Sequence, residues 1–328
     1  MLTEGPPLWF DQKSTLKSVS NSRQTGQFDA VQIVDPELAL CMADNAERPA
    51  SDVATMTPQD AREVYAQSRV PWNTGLPKMA EVGRGTLSVA GADMPFVTFV
   101  PHAADAGTTI YLHGGGWIMG STATHDGIMR RIAELSRRSV IGLDYPLAPE
   151  FRRSTIVSAC ISAVSQVLER YDGPIVLAGD SAGAELSLSV ALALRDQGAP
   201  LPDGLCLAYP ALWPRFETAS HGRSGHGRFG LSTDKMQGYW QHYLGGEEAL
   251  LDVPDVSGLP RCFVLGAALD CLLDDALDLA HLLAAAGVDH ELHVPDGSVH
   301  GFLHYSSAAQ VAMDALQEIA RFIRACHR

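Results

Sequence analysis

The chain lacks the features that would direct it to a membrane or to nucleic acid. No segment of its 328 residues reaches about 18 uninterrupted apolar residues, the length that a transmembrane helix needs. Its 24 Lys and Arg residues are outnumbered by 38 Asp and Glu, which gives a net charge of −14. Phosphate-rich surfaces bind basic patches, so this balance argues against them. We therefore expect no nucleic acid and no membrane among its partners.

Cysteine pairs at metal-ligand or redox spacing are also absent. The six cysteines are scattered and form no C-x-x-C motif, a pattern typical of free thiols in a reducing compartment. The N-terminal residues MLTEGPPLWFDQK place an acid and two prolines where a signal peptide would carry a basic and then an apolar segment. These observations favour a cytoplasmic protein without a metal site.

What the sequence does contain is a regular alternation of short apolar runs and longer helical segments. Several runs are continuously apolar, which is typical of strands buried on both faces of a parallel sheet. Strands alternating with helices predict an α/β fold with a mostly parallel central sheet flanked by helices. The predicted strands are 96–100, 108–112, 140–143, 175–178, 205–209, 262–267 and 291–294; the predicted helices are 57–68, 126–138, 154–170, 182–197, 233–244, 274–286 and 308–326.

One segment interrupts the alternation. The residues from Trp213 to Asp255 follow a predicted strand and are too long for a simple connection to a helix. We interpret them as an insertion that covers one end of the sheet together with the N-terminal helices. The predicted organisation is an N-terminal helical cap part (1–70), the first part of the core (71–212), a cap insertion (213–255) and the second part of the core (256–328).

A G-x-S-x-G motif spans Gly179 to Gly183, between an apolar run and a helical segment. This strand–turn–helix context is the one in which such a serine is presented on a sharp turn, with its Oγ exposed. The helix N-terminus also favours developing negative charge. A phosphate-binding loop fits poorly, because the lysine of G-x-x-x-x-G-K-[ST] is absent. The motif therefore predicts Ser181 as a nucleophile.

A glycine-rich loop, His113 to Trp117, follows an earlier strand. Its glycines can turn backbone N–H groups toward an oxyanion, and Ala182, directly after the serine, can supply a further N–H. The serine also needs a base and an orienting carboxylate, in chain order Ser, Asp or Glu, His. Asp270 ends a predicted strand, whereas Asp274 and Asp275 open the next helix and are better explained as partners of its dipole.

Of the twelve histidines, His300 lies in the loop between the last strand and the last helix, where the base of this arrangement belongs. His293 lies within the predicted strand and His304 begins the final helical stretch, so each is interpreted as structural or solvated. His221 and His226 lie among Gly and Arg residues, which favours a mobile, solvated loop.

Together these motifs resemble the hormone-sensitive-lipase-like branch of the α/β-hydrolases, the bacterial family IV carboxylesterases. The resemblance extends over nearly the whole chain. It rests on H-G-G-G-W at 113–117, D-Y-x-L-A-P-E at 144–150, G-D-S-A-G at 179–183, D-x-L-x-D-D at 270–275 and H-G-F at 300–302. The chain departs from the family pattern at Pro146, at Phe151 and Arg152, at Ala184 and Glu185, and in a shorter segment over 252–260; Ser181, Asp270 and His300 are untouched by these departures.

The resemblance implies an α/β-hydrolase fold with a helical cap. It also implies a triad of Ser181, His300 and Asp270. The oxyanion hole would be formed by the amides of Gly115, Gly116 and Ala182, with His113 and Gly114 supporting the loop. Neither a metal nor an organic cofactor is expected.

The function that follows is hydrolysis of short- to medium-chain carboxylic esters through an acyl-enzyme, with a small-molecule ester as the partner. An amidase, formamidase or lactonase on the same scaffold stays open, because the same groups attack all such carbonyls. A non-catalytic small-molecule receptor is the remaining alternative, and such proteins typically lose a triad member, whereas all three are present here. Assembly of the chain into a homodimer stays open as well.

Aromatic residues are the candidates for the walls of the substrate pocket. Tyr239 and Tyr243 are four residues apart and share a helical face. Lid aromatics can equally form a small core of their own. The predicted substrate-binding residues are Trp117, Trp213, Tyr239, Trp240 and Tyr243.

Overall fold

A central eight-stranded sheet organises the chain. The computed structural model describes residues 33–89, 92–249 and 254–327, and Val34–Arg328 form one compact unit. The strands are β1 (Glu81–Val89), β2 (Ala92–Val100), β3 (Thr108–Leu112), β4 (Ser139–Leu143), β5 (Ile175–Asp180), β6 (Gly204–Ala208), β7 (Cys262–Leu265) and β8 (His290–His293). Their order in the sheet is β1-β2-β4-β3-β5-β6-β7-β8; β2 pairs antiparallel with β1 and with β4, and the other pairings are parallel. The predicted mostly parallel sheet is confirmed.

Helices cover both faces of this sheet. Along β3, Ile110 and Leu112 belong to one hydrophobic cluster and Tyr111 to the other, as the two-residue period of a strand requires. The helices are α1 (Pro36–Ala46), α2 (Pro58–Arg69), α3 (Asp126–Ser136), α4 (Arg153–Arg170), α5 (Ala182–Asp196), α6 (Ala219–Ser224), α7 (Thr233–Leu244), α8 (Leu273–Ala285) and α9 (Gln310–Ala325). The first cluster contains residues of α4, α5 and α8, and the second contains residues of α1, α3 and α9.

The N-terminal helices begin at residues whose side chains satisfy free backbone N–H groups. Asp35 accepts from the amides of Glu37 and Leu38, and Thr57 accepts from the amide of Asp60. A proline follows each cap at the first helical position, where its missing N–H costs nothing. The first 32 residues of the predicted cap part, and 250–253 of the predicted insertion, lie outside the described residues.

Strand β1, helix α6 and the position of His304 differ from the sequence prediction. Strand β1 was not predicted, because its exposed positions and two glycines break the apolar pattern of the buried strands. The final helix begins at Gln310, two residues after its predicted start at 308, and His304 lies ahead of it in the 3-10 helix Phe302–Tyr305. None of the helices among the described residues is long and apolar enough to cross a bilayer.

Candidate active site

Ser181 occupies the turn between β5 and α5. Its φ of 53° and ψ of −117° lie outside the regions that non-glycine residues ordinarily adopt, and its amide donates to the carbonyl of Ala208 at 2.8 Å. The turn is tight: a Cβ at Gly179 would collide with the carbonyl of Gly183, and one at Gly183 with that of Leu112. Glycine is therefore required on both sides of the serine.

A continuous chain of hydrogen bonds leads from this serine to a buried carboxylate. His300 Nε2 lies 2.9 Å from Ser181 Oγ, and His300 Nδ1 lies 2.6 Å from Asp270 Oδ2. Asp270 Oδ1 accepts from the amide of Leu272 at 3.0 Å, which fixes the carboxylate. Asp270 is fully buried, whereas Ser181 lies at the cavity surface. An imidazole held in this way can take a proton from the hydroxyl while the carboxylate stabilises the charge that forms.

The glycine-rich loop approaches the same serine from the end of β3. Gly115 and Gly116 have φ values of 123° and 62°, and both line the cavity next to Ser181. A Cβ at Gly115 would collide with the carbonyl of Met119, so this backbone path excludes side chains. Ala182 is the first residue of α5, and its N–H has no acceptor within the helix.

Buried side chains hold this loop in place. Tyr145 donates to the carbonyl of His113 at 2.7 Å, and the amide of Gly114 donates to Asp180 Oδ1 at 2.9 Å. Burial, reinforced by the neighbouring His125, lowers the pKa of His113 to about 4. The ring is therefore neutral at pH 7, and it stacks on Tyr145 with the ring centroids 4.3 Å apart.

Asp180 ties the loop to the serine turn. Burial alone would raise the pKa of this carboxyl, but the imidazoles of His125 and His304 and the hydroxyl of Tyr111 hold the pKa below its ordinary value. Potential ligand atoms of His125, Asp180 and His304 lie within 4.8 Å of one another. His304, interpreted from sequence as structural or solvated, is thus a buried neighbour of the serine turn.

A cavity of about 480 Å³ opens over Ser181, His300 and the glycine-rich loop. Its far side consists of residues from two segments that are distant in sequence, 42–69 and 227–239. We call these residues the outer wall. Representative members are Arg48, Tyr65 and Arg69 from the first segment and Phe229, Lys235 and Tyr239 from the second.

Of the five predicted substrate-binding aromatics, Tyr239 alone belongs to the lining of this cavity. A Cβ at Gly116 would lie 2.7 Å from its ring, so Tyr239 packs directly against the glycine-rich loop. The prediction needs correction for Trp117, Trp213, Trp240 and Tyr243, which are buried in the hydrophobic core and do not line the cavity.

For Trp117 and Tyr243 the physical reason is a buried carboxylate, and Trp240 packs against Trp117 with the ring centroids 4.5 Å apart. Glu185, on the first turn of α5, accepts hydrogen bonds from Trp117 Nε1 at 3.2 Å and from the Tyr243 hydroxyl at 2.9 Å. The two aromatic rings stack with a 2° interplanar angle, and Arg153 pairs with the same carboxylate at 3.1 Å. Their polar atoms are directed toward Glu185, away from the cavity. His221 is likewise buried in α6 next to Thr233 and is not in a solvated loop.

Comparison with known proteins gives consistent results. Residues 109–304 match a family model described as the alpha/beta hydrolase fold. The chain belongs to the α/β-hydrolase family. It is similar to an esterase of the archaeon Pyrobaculum calidifontis, with 28% identity, a TM-score of 0.82, and coverage of 89% of this chain and 98% of that one.

Two further solved structures narrow the branch of this family. One is an ester hydrolase from the metagenome of Lake Arreo, with 30% identity, 89% and 99% coverage and a TM-score of 0.82. The other is an esterase of the bacterial hormone-sensitive lipase family, with 29% identity, 89% and 98% coverage and a TM-score of 0.79. The chain is therefore a hormone-sensitive-lipase-like member of the α/β-hydrolases and a carboxylic ester hydrolase.

Sequence reasoning missed most of the outer wall of this hydrolase. Tyr65 and Arg69 lie on α2, and Arg48 follows α1; none belongs to a recognisable motif. One available signal was the helical spacing of Tyr65 and Arg69, which places both on one face of α2. That spacing shows which side chains adjoin but not that they face a catalytic cavity.

Proposed function

We propose that the protein hydrolyses carboxylic esters through a covalent acyl-enzyme, with Ser181 as nucleophile, His300 as general base and Asp270 as the residue that orients it. The observation that carries this proposal is the hydrogen-bond chain from Ser181 Oγ through both nitrogens of His300 to Asp270. With Nδ1 donating to the carboxylate, Nε2 has its lone pair free to accept the serine proton.

The reaction takes place in two acyl-transfer steps. Ser181 Oγ attacks the ester carbonyl while its proton passes to His300 Nε2, and the tetrahedral intermediate collapses as His300 returns that proton to the departing alkoxide. Water then enters, loses a proton to His300, and attacks the acyl-serine. The second collapse breaks the acyl–Oγ bond, reprotonates Ser181 and releases the carboxylic acid.

The negative charge of each tetrahedral intermediate would be stabilised by backbone N–H groups of Gly115, Gly116 and Ala182. The positive φ values of both glycines, together with the free first N–H of α5, support this assignment. His113 and Gly114 would act indirectly, by fixing the loop through Tyr145 and Asp180.

The cavity supports a substrate range of short to medium acyl chains. A volume of about 480 Å³ is typical of a small-molecule site, and the Tyr239 ring against Gly116 limits its width next to the oxyanion loop. We expect kcat/KM with p-nitrophenyl esters to be highest at acetate to octanoate. An optimum at palmitate, or a jump in activity above the substrate's micelle concentration, would contradict this range.

The core experiment is covalent labelling combined with substitution of the serine. A fluorophosphonate probe should label Ser181, and Ser181→Ala should lose both labelling and at least ~10⁴-fold in kcat with p-nitrophenyl butyrate. Ser187→Ala is the matched control, since that buried hydroxyl donates to the carbonyl of Gly183 within α5. Turnover near the wild-type rate in purified Ser181→Ala would refute the assignment.

A further inference from the structure

The cavity over Ser181 contrasts electrostatically with the chain as a whole. Its outer wall contributes four cationic side chains, Arg48, Arg69, Arg228 and Lys235, whereas Asp180 is the single carboxylate among the lining residues, all of which the structure describes. The carboxylate of Asp180 already accepts from Tyr111 and Gly114 and lies among imidazoles. The cavity of a protein with a net charge of −14 is therefore locally positive.

Three of these four cations form no ion pair with a carboxylate of the described residues: Arg228, which is exposed, and Lys235 and Arg69, which are half-buried. Arg48 pairs with Asp44 at 2.7 Å, whereas no carboxylate forms an ion pair with Arg69 in the part of the chain that the structure describes. Its Nε is buried and has no hydrogen-bond partner among those residues. A partly buried cation without an anion is costly, and an anionic ligand bound in the cavity would relieve that cost at Arg69.

The neighbours of Arg69 are phenols. Its guanidinium carbon lies over the Tyr65 ring, 4.6 Å from the centroid, and Tyr305 is a second neighbouring phenol that lines the same cavity. Burial raises the pKa of both tyrosines, so they are neutral at pH 7 and contribute no negative charge. They orient the guanidinium without neutralising it.

The geometry points to an anionic substrate: an ester that carries a free carboxylate, bound by Arg69 while Ser181 attacks the ester carbonyl. This inference rests on the proposed function and specifies its substrate class. The planar guanidinium suits a carboxylate, which it can bind through two parallel hydrogen bonds. Remote acidic residues oppose such binding only weakly, because charges more than about 8 Å away are screened at physiological ionic strength.

The test compares esters that differ only in charge, in two series. In the acyl series, mono-p-nitrophenyl adipate is compared with its neutral methyl ester; in the alcohol series, 4-acetoxybenzoate is compared with methyl 4-acetoxybenzoate. We expect wild-type kcat/KM to be about tenfold higher for the charged member of at least one series, mainly through KM, because the carboxylate is bound in the ground state and the transition state alike. The series that shows the preference locates the carboxylate on the acyl or the alcohol side.

Substitution of Arg69 tests whether this residue causes the preference for the charged ester. Arg69→Met should lower kcat/KM for the preferred charged ester by about 10–100-fold more than for its neutral counterpart, so that the charged-to-neutral ratio falls by that factor. Arg69→Lys should restore part of the difference. Arg84→Met is the control for the loss of one positive charge, because Arg84 is exposed on β1 and lies outside the cavity lining; its charged-to-neutral ratio should match the wild type.

Failure of this inference is distinguishable from failure of the proposed function. If Ser181-dependent hydrolysis of neutral esters is retained but neither series shows a charge preference, the anionic-substrate assignment is wrong and the esterase assignment stands. An equal loss on charged and neutral esters in Arg69→Met would also overturn it, since it would show a structural role. Activity that does not depend on Ser181 would instead refute the proposed function.

Discussion

The groups next to the ester carbonyl and the outer wall are built from different kinds of structure. The glycine-rich loop, Ser181 and Asp270 follow the parallel strands β3, β5 and β7 of one sheet, where glycine sterics and buried hydrogen bonds leave the backbone little freedom. The outer wall combines the N-terminal helices with an insertion, and α2 is joined to the core by the Arg62 side chain, which donates to the carbonyls of Ile118 and Ala148. The reacting groups are thus fixed by the sheet, whereas selectivity depends on segments that the sheet constrains less.

The largest loss of activity is expected when the carboxylate that orients His300 is removed. Asp270→Asn should lower kcat by about 10³–10⁴-fold, because an amide cannot hold the imidazole in the tautomer that accepts the serine proton. Asp274→Asn is the matched control: Asp274 accepts from the amide of Ser220 at 2.7 Å and should keep most activity. Equal losses in both variants would mean that the orienting carboxylate is misassigned.

A second test concerns the buried carboxylate beneath the aromatic cluster. Glu185→Ala should reduce the free energy of unfolding by about 3–5 kcal/mol, because it leaves Arg153, Trp117 and Tyr243 with unpaired polar groups in the core. Urea denaturation followed by tryptophan fluorescence would measure the loss.

The control for this change is Glu247→Ala, which removes an exposed carboxylate that accepts from Ser154. Its expected loss is below about 1 kcal/mol. If Glu185→Ala instead altered acyl-chain preference without destabilising the protein, the aromatic cluster would belong to the substrate site after all.

The same contrast explains how far the sequence could be interpreted. Alternation of apolar runs predicted seven of the strands, and G-x-S-x-G with H-G-G-G located the serine turn and the facing loop, because both depend on local backbone requirements. Asp270 and His300 could be chosen by their position after a strand and in a loop, respectively. The structural reason for the position of each of these residues lies within a few neighbouring positions of the sequence.

The outer wall carries no such local signature. Trp117, Trp240 and Tyr243 are aromatic residues of the kind that line pockets, but all three are buried in the core. Trp117 and Tyr243 both donate to the carboxylate of Glu185, which is distant from each of them in sequence. Arg69 resembles any helix-terminal arginine until the fold brings it to the cavity of Ser181. Long-range packing decides which aromatic is core and which is lining, and that information is not present in the local pattern.

A third prediction concerns acid stability, which the buried imidazoles of the core should dominate. The pKa of His113 is lowered from 6.5 to about 4 in the folded state, so the unfolded chain binds more protons between these values. The free energy of unfolding should therefore fall by about 2–3 kcal/mol as the pH drops from 6.5 to 4.

The measurement is the pH dependence of the urea midpoint for the wild type and for His113→Gln. The variant should be less stable at pH 7, because Gln cannot reproduce the stacking on Tyr145, and its stability should depend less steeply on pH below 6.5. An unchanged slope would show that other groups cause the acid sensitivity.

The smallest effect is expected for Tyr239, the one predicted substrate-binding aromatic that lines the cavity. Tyr239→Leu should raise the ratio of kcat/KM for p-nitrophenyl octanoate to that for the butyrate by up to about tenfold, because it removes the ring that packs against Gly116 and widens the cavity there. Trp240→Leu is the matched control on the same helix: Trp240 is buried outside the cavity lining, so the variant should be less stable while the ratio changes by less than about twofold. Should Trp240→Leu shift the ratio as much as Tyr239→Leu, acyl selectivity would depend on the packing of the whole helix, and the distinction between lining and core aromatics would lose its functional meaning.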